Sequence, residues 1–202
     1  MIQYPQRTVE GNFVVSSAMP ALRVQLDNAL KYVGNLKSTV NDSIHIDNYF
    51  FVEDDDNGGI ERIVYLQFEG YLPDKDDEAQ QYSQLNKTIQ IAERKFSYNG
   101  GVRPYRQAKI DAQAEDSDIR QAVAFLNEHG LSFKELEFYG TLQFLHFADA
   151  DKRNKLHIVY LEHLEEADIP EDVIAHSRES EDWATYCEKF LSRAMRSFTV
   201  CE

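Results

Sequence analysis

At 202 residues, with 43% hydrophobic and 12% aromatic side chains, the chain carries enough apolar material for one well-buried core, and a single domain spanning 1–202 is expected. Its net charge of −14 opposes both a phosphate backbone and an anionic bilayer surface, so no nucleic-acid and no membrane partner is expected. The start, "MIQYPQRTVEGNFVV", lacks the basic cap and apolar run of a secretory signal, and no stretch approaches the roughly 20 apolar residues of a membrane span. The two cysteines, Cys187 and Cys201, both fall in the last segment, where one helix would hold them about 21 Å apart and unbridged. The expected setting is therefore cytoplasmic, for a soluble acidic protein without a disulfide framework.

In chain order, "ALRVQLDNALKYVGNL" admits two readings: a helix carrying Leu22, Leu26 and Leu30, or strands alternating at Leu22, Val24 and Leu26 with a turn at Asp27-Asn28. Gly34 and the "STVND" beyond it favour strands. The next block, "FFVEDDDNGGIERIVYLQFE", is the most legible. Asn57-Gly58 is a type I′ hairpin signal, because both central residues tolerate positive φ. Centred there, the register sets Glu53 opposite Arg62, Phe51 opposite Val64, Tyr49 opposite Leu66, Val52 opposite Ile63 and Phe50 opposite Tyr65. Both faces are then apolar, as in a strand covered front and back.

The segment "LPDKDDEAQQYSQLNK" reads as a polar connection, and "KTIQIAERKFSY" as an edge strand ended by a turn at "NGG", 99–101. "EDSDIRQAVAFLNEHGL" is a helix near 115–129, with acids at its start, Ile119, Val123 and Leu126 on one stripe, and Gly130 as its stop. A second hairpin covers Lys134–Phe147 and Lys155–Leu164, and there "IVYL" at 158–161 repeats the tetrapeptide of 63–66. The spacings around the two copies differ by one residue and nothing outside the hairpins repeats. The repeat therefore reads as one strand design used twice rather than a duplication. The end, "SEDWATYCEKFLSRAMRSFTV", is a long amphipathic helix near 181–198, with Trp183, Cys187, Phe190, Ala194 and Phe198 on its apolar stripe and Arg193, Arg196 and Ser197 opposite. The expected fold is α+β: an antiparallel, curved or partly barrel-like sheet built on two main hairpins and packed by these two helices.

Signatures that name a chemistry are missing: no phosphate-binding glycine loop, dinucleotide fingerprint, serine elbow, zinc helix or paired-cysteine motif occurs. No cofactor and no metal are expected. Glu53, Asp55, Asn57 and Gly58 imitate the start of a calcium loop, but Val64 stands where its bidentate glutamate belongs, so a solvated acidic tip is the reading. If the second hairpin pairs with a register sum of 303, His146 and His157 become cross-strand neighbours. One segment opposes the overall charge: "AERKFSYNGGVRPYRQAK" holds Arg94, Lys95, Arg103, Arg106 and Lys109 against Glu93 alone. Its Gly-Gly turn and arginine forks could cradle a carboxylate or phosphate, which makes Arg103, Tyr105 and Arg106 the expected ligand-binding residues. The function expected first is non-catalytic binding of a small apolar or anionic molecule. A protein-interaction module, with a partner or a second copy, comes second. An enzyme using strand histidines such as His146 and His157 with a carboxylate such as Glu162 comes third.

Overall fold

In the computed structural model, which describes residues 6–40, 42–72, 85–165, 168–169 and 181–201, eleven strands form two antiparallel sheets beside three helices. The expected polar connection falls almost wholly at 73–84, outside the described residues, as does the side chain of Trp183. The small sheet joins β1 (Arg7–Glu10), β2 (Phe13–Ser16), β3 (Leu22–Leu26) and β11 (Phe198–Cys201) in that order. The large sheet comprises β4 (Lys31–Val40), β5 (Ile44–Asp54), β6 (Ile60–Tyr71), β7 (Lys87–Ile91), β8 (Arg94–Pro104), β9 (Phe138–Phe147) and β10 (Asn154–Leu164). Their spatial order is β4-β5-β6-β10-β9-β8-β7. The helices are α1 (Gln107–Asp111), α2 (Asp118–Glu128) and α3 (Glu181–Ser197). The fold is thus α+β with two antiparallel sheets. Neither sheet closes among the described residues, so the expected partly barrel-like form is not met. No helix among the described residues is long and apolar enough to cross a membrane.

The large sheet is covered on both faces because its strands are apolar on both. Tyr49, Phe51, Val64, Leu66, Phe68, Ile158 and Tyr160 point one way, against Val14, Val24 and Val200 of the small sheet and Phe190 and Ala194 of α3. Phe50, Val52 and Ile63 point the other way, against Ala122 and Leu126 of α2. Each buried Val, Leu or Phe contributes about 1.5–3 kcal/mol, so both coverings are strongly favoured.

The two tetrapeptides are hydrogen-bonded to each other. Ile63 pairs with Leu161, Val64 with Tyr160, Tyr65 with Val159 and Leu66 with Ile158. The strand order would suit a two-fold axis normal to the sheet, exchanging β4-β5-β6 with β8-β9-β10. Such an axis keeps every residue on its own face. The tetrapeptides break this rule: Val64 and Leu66 face the small sheet in one copy, Ile158 and Tyr160 in the other. Matching letters therefore occupy opposite faces, and the repeat is not a structural equivalence.

Several expectations are corrected. Residues 22–40 are strands, but the turn at Asp27-Asn28 carries the chain from one sheet to the other instead of closing a hairpin. The β5–β6 register is the one expected from Glu53–Arg62 to Tyr49–Leu66. Its turn differs: the Gly58 N–H donates to the Asp55 carbonyl at 3.1 Å, and positive φ falls on Gly58 alone. Nor is the tip simply solvated. The Ser132 N–H donates to the Gly58 carbonyl at 3.0 Å, and the Ile60 N–H to the Ser132 carbonyl at 2.9 Å, docking the tip beneath the end of α2. The turn expected at 99–101 lies inside β8, and the chain reverses instead at Ala92-Glu93 between β7 and β8. A side chain at Gly100 would strike the Thr141 carbonyl at 2.5 Å, which is why glycine sits mid-strand. Phe198 begins β11 rather than ending α3, and Ser197, expected on the polar side of the helix, is fully buried.

Gly140 is a tight point of this packing, since an added Cβ there would lie 2.5 Å from Phe190 Cζ. Gly140→Ala is expected to cost about 1–3 kcal/mol in urea unfolding. Pairing it with Phe190→Leu should cost less than the sum of the two single changes; strict additivity would show that the contact does not limit packing.

Candidate functional site

The α2 face of the large sheet is a grid of cross-strand rungs. One rung runs Phe50, Tyr65, Val159, Gln143, Asn99 across β5, β6, β10, β9 and β8. The next runs Ile63, Leu161, Thr141, Gly101. On β5 and β6 these positions are large and apolar, and α2 seats against them: the Phe125 ring stacks on Phe50 at 5.0 Å and leaves no room for a side chain at Gly34. On β8 Gly101 presents no side chain to α2, and a Cβ there would have no neighbour within 4 Å, whereas Gly100, the partner of Leu142, belongs to the opposite face. The helix is pinned at both ends, by the docking of Ser132 on Gly58 and Ile60 at one and by Gln67 Nε2 donating to Asp118 Oδ2 at 3.0 Å at the other. It therefore spans the glycine region without collapsing onto it.

The result is a cavity of about 300 Å³ between sheet and helix, at the lower end of the range usual for small-molecule sites. Its floor is Phe50, Ile63, Tyr65, Val159 and Leu161, its roof Ile119, Ala122, Val123 and Leu126, and its far wall Asn99, Thr141 and Gln143. Ile119, expected in the buried stripe of α2, is 42% exposed at the rim, and Ala122 takes the inner position. Burial raises the Tyr65 hydroxyl well above its ordinary range, with Asp118 and Glu69 adding to the effect, so it stays protonated.

Of the three expected ligand-binding residues, the structure brings Arg103 alone to this cavity. It is exposed at the mouth, opposite Tyr139 on β9. Tyr105 stands behind the wall, stacked on the cavity residue Phe133 at 4.9 Å, its hydroxyl pushed up to about 12 chiefly by burial. Arg106 caps α1 from an exposed position away from the cavity. Asn99 escaped the sequence reading because the turn expected at 99–101 concealed a strand, and Thr141 and Gln143 because that concealed strand is the one they pair with.

The histidines do not assemble as expected. The β9–β10 register sums to 302, so His146 faces Leu156, and His157 faces Leu145. That one-residue slip sends the two rings to opposite faces. His146 packs on Phe96 with its Nδ1 3.0 Å from the Lys95 carbonyl. His163 lies between Glu61 at 3.2 Å and Glu137 at 3.5 Å. Asp55, the second would-be calcium ligand of the tip, accepts the Asn57 and Gly59 N–H groups and pairs with Lys134 at 3.1 Å.

A wider concavity of about 900 Å³ opens near the C-terminal turn of α3, but its charges answer one another. The Arg62 guanidinium reaches Glu53 at 2.7 Å, Asp27 at 3.3 Å and the Ser197 hydroxyl at 3.1 Å. Arg193 donates to Glu162 at 2.8 Å, and Glu162 also accepts from the Tyr160 hydroxyl at 2.8 Å. These groups form a clasp joining both sheets to α3. In the smaller cavity, by contrast, Asn99, Thr141, Gln143 and Arg103 make no side-chain hydrogen bond among the described residues, and their donors and acceptors stand free.

No protein family, no characterised protein and no solved structure matches this chain.

Beyond the cavity the α2 face turns polar. Gln67 donates to Asp118, so its Oε1 accepts from His157 Nδ1 at 3.2 Å, which fixes the proton on that nitrogen. Burial, with Lys155 adding, pushes His157 from 6.5 down to about 3. Between those values the unfolded chain holds a proton that the folded chain refuses. The His157 contribution is thus complete above about pH 6.5 and lost as the pH falls toward 3. Burial raises Asp118, which works in the opposite sense. The expected outcome in urea unfolding is a wild-type advantage over His157→Gln that shrinks steadily from pH 7 to pH 4. A difference that stays constant would mean that His157 titrates alike in both states.

Proposed function

We propose that the protein binds a small molecule in the cavity beneath α2, with the apolar body of the ligand on Tyr65, Val159 and Ile63 and one anionic group at Arg103. The observation that carries this reading is the row of unpartnered polar side chains along one wall of an otherwise apolar cavity. These side chains are half-buried, and closing one off beneath a ligand without a hydrogen bond would cost about 1–3 kcal/mol. Packing alone would favour apolar residues there, with side chains in place of Gly101. Arg103 at the mouth of a chain with net charge −14 supplies the local attraction an anionic ligand needs.

Catalysis has less support. His146 and His157 occupy opposite faces, and Glu162 is held by Arg193 and Tyr160. A protein partner is also the weaker reading, because the outer strands β4 and β7 carry Lys31, Lys37 and Lys87, charges that discourage strand pairing.

Gly101→Val is the direct test. Its φ lies outside the glycine-favoured region and the space beside it is open, so the fold should survive while the cavity fills. The fluorescent probe 1-anilinonaphthalene-8-sulfonate, an apolar ring system with one anionic group, should bind the folded wild type. Its affinity should fall at least about tenfold in Gly101→Val and about threefold to tenfold in Arg103→Ala, as expected for loss of an exposed charge-assisted contact. Equal binding by wild type and Gly101→Val would sink the proposal.

A further inference from the structure

We infer that the ligand of this cavity is a planar nitrogen heterocycle with an amide-type donor–acceptor edge and an anionic substituent, as in a nucleoside monophosphate. The inference rests on the reading of the cavity as a binding site and adds the chemistry of its wall. Asn99 and Gln143 are direct cross-strand partners, both line the cavity, and neither has a side-chain hydrogen bond among the described residues. Their Cβ atoms stand about 5 Å apart. Each carboxamide offers a carbonyl acceptor and an NH₂ donor. Two carboxamides side by side therefore present alternating donors and acceptors at one edge of a slot, the complement of a lactam or amidine edge on a ring. Asparagine and glutamine read adenine in DNA through the same geometry.

The slot has a flat shape. Tyr65 and Gln143 lie two strands apart on one rung, about 10 Å, with Val159 between them. A ring placed edge-on to the carboxamides would lie over Val159 and reach the Tyr65 ring, with the apolar side of α2 above it. Thr141, on the adjoining rung, adds a hydroxyl to the same wall. Arg103 stands at the mouth, where an anionic substituent would emerge. An alkyl carboxylate would satisfy Arg103 and the floor but leave both carboxamides desolvated and unpaired, a penalty a heterocycle avoids.

The test titrates the full chain with adenosine, guanosine, cytidine and uridine 5′-monophosphates, and with decanoate, reading heat and displacement of 1-anilinonaphthalene-8-sulfonate. At least one nucleotide should bind and displace the probe. Gln143→Leu and Asn99→Leu should each weaken nucleotide binding about tenfold or more. Gln143→Glu, nearly the same shape, should weaken it as much by removing a donor and adding a negative charge, so the result does not depend on tolerance of leucine. Probe and decanoate binding without any nucleotide would overturn this inference and leave the binding function standing. Nucleotide binding indifferent to Gln143 and Asn99 would overturn it as well. Absence of all binding would remove both.

Discussion

The whole architecture depends on the pairing of β6 with β10. Here Val64, Leu66, Ile158 and Tyr160 on one side and Ile63, Tyr65, Val159 and Leu161 on the other make both faces apolar. A sheet with such a centre needs two coverings. The small sheet and α3 supply one; α2, held by the docked β5–β6 tip and by Asp118, supplies the other. The cavity follows from that second covering. A helix fixed by its ends must bridge whatever the strands beneath it present, and at Gly101 they present no side chain.

Polar groups are distributed to match. Where the layers meet near the end of α3, Arg62, Glu53, Asp27 and Ser197 satisfy one another, and the net effect is to fasten three segments. Near the start of α2, Gln67 orients both Asp118 and His157. Buried polar networks confer a defined geometry when every member is satisfied. The half-buried wall of Asn99, Thr141 and Gln143 forms no such network among the described residues, which leaves its donors and acceptors open to the cavity.

The paired tetrapeptides show how far similar letters can mislead. Both copies are good central strands because Ile, Val, Tyr and Leu suit a pleated surface buried on both sides. Yet their side-chain parities are opposite, so each residue type does a different job in each copy. A shared demand for apolar bulk on two faces accounts for the likeness without common descent of the hairpins.

Alternation and turn chemistry along the chain determined a good deal: the hairpin around Asn57-Gly58, the pairing of Glu53 with Arg62 through Tyr49 with Leu66, the α2 and α3 helices, and Gly130 as a helix stop, while at 22–26 they only favoured a strand over a helix. These are short-range matters, settled by period and by which residues tolerate a turn. Tertiary structure alone decided the rest. The β9–β10 register turned on one residue in a long connection, and that residue separated His146 from His157. Gly100-Gly101 looked like a turn because glycine is ambiguous locally; only the neighbouring Thr141 carbonyl shows why a strand needs it. Arg103 carried a legible charge, whereas Asn99, Thr141 and Gln143 became a wall only once β8 and β9 lay side by side. Side chains distant in sequence meet through strand order, and strand order is a property of the assembled sheet.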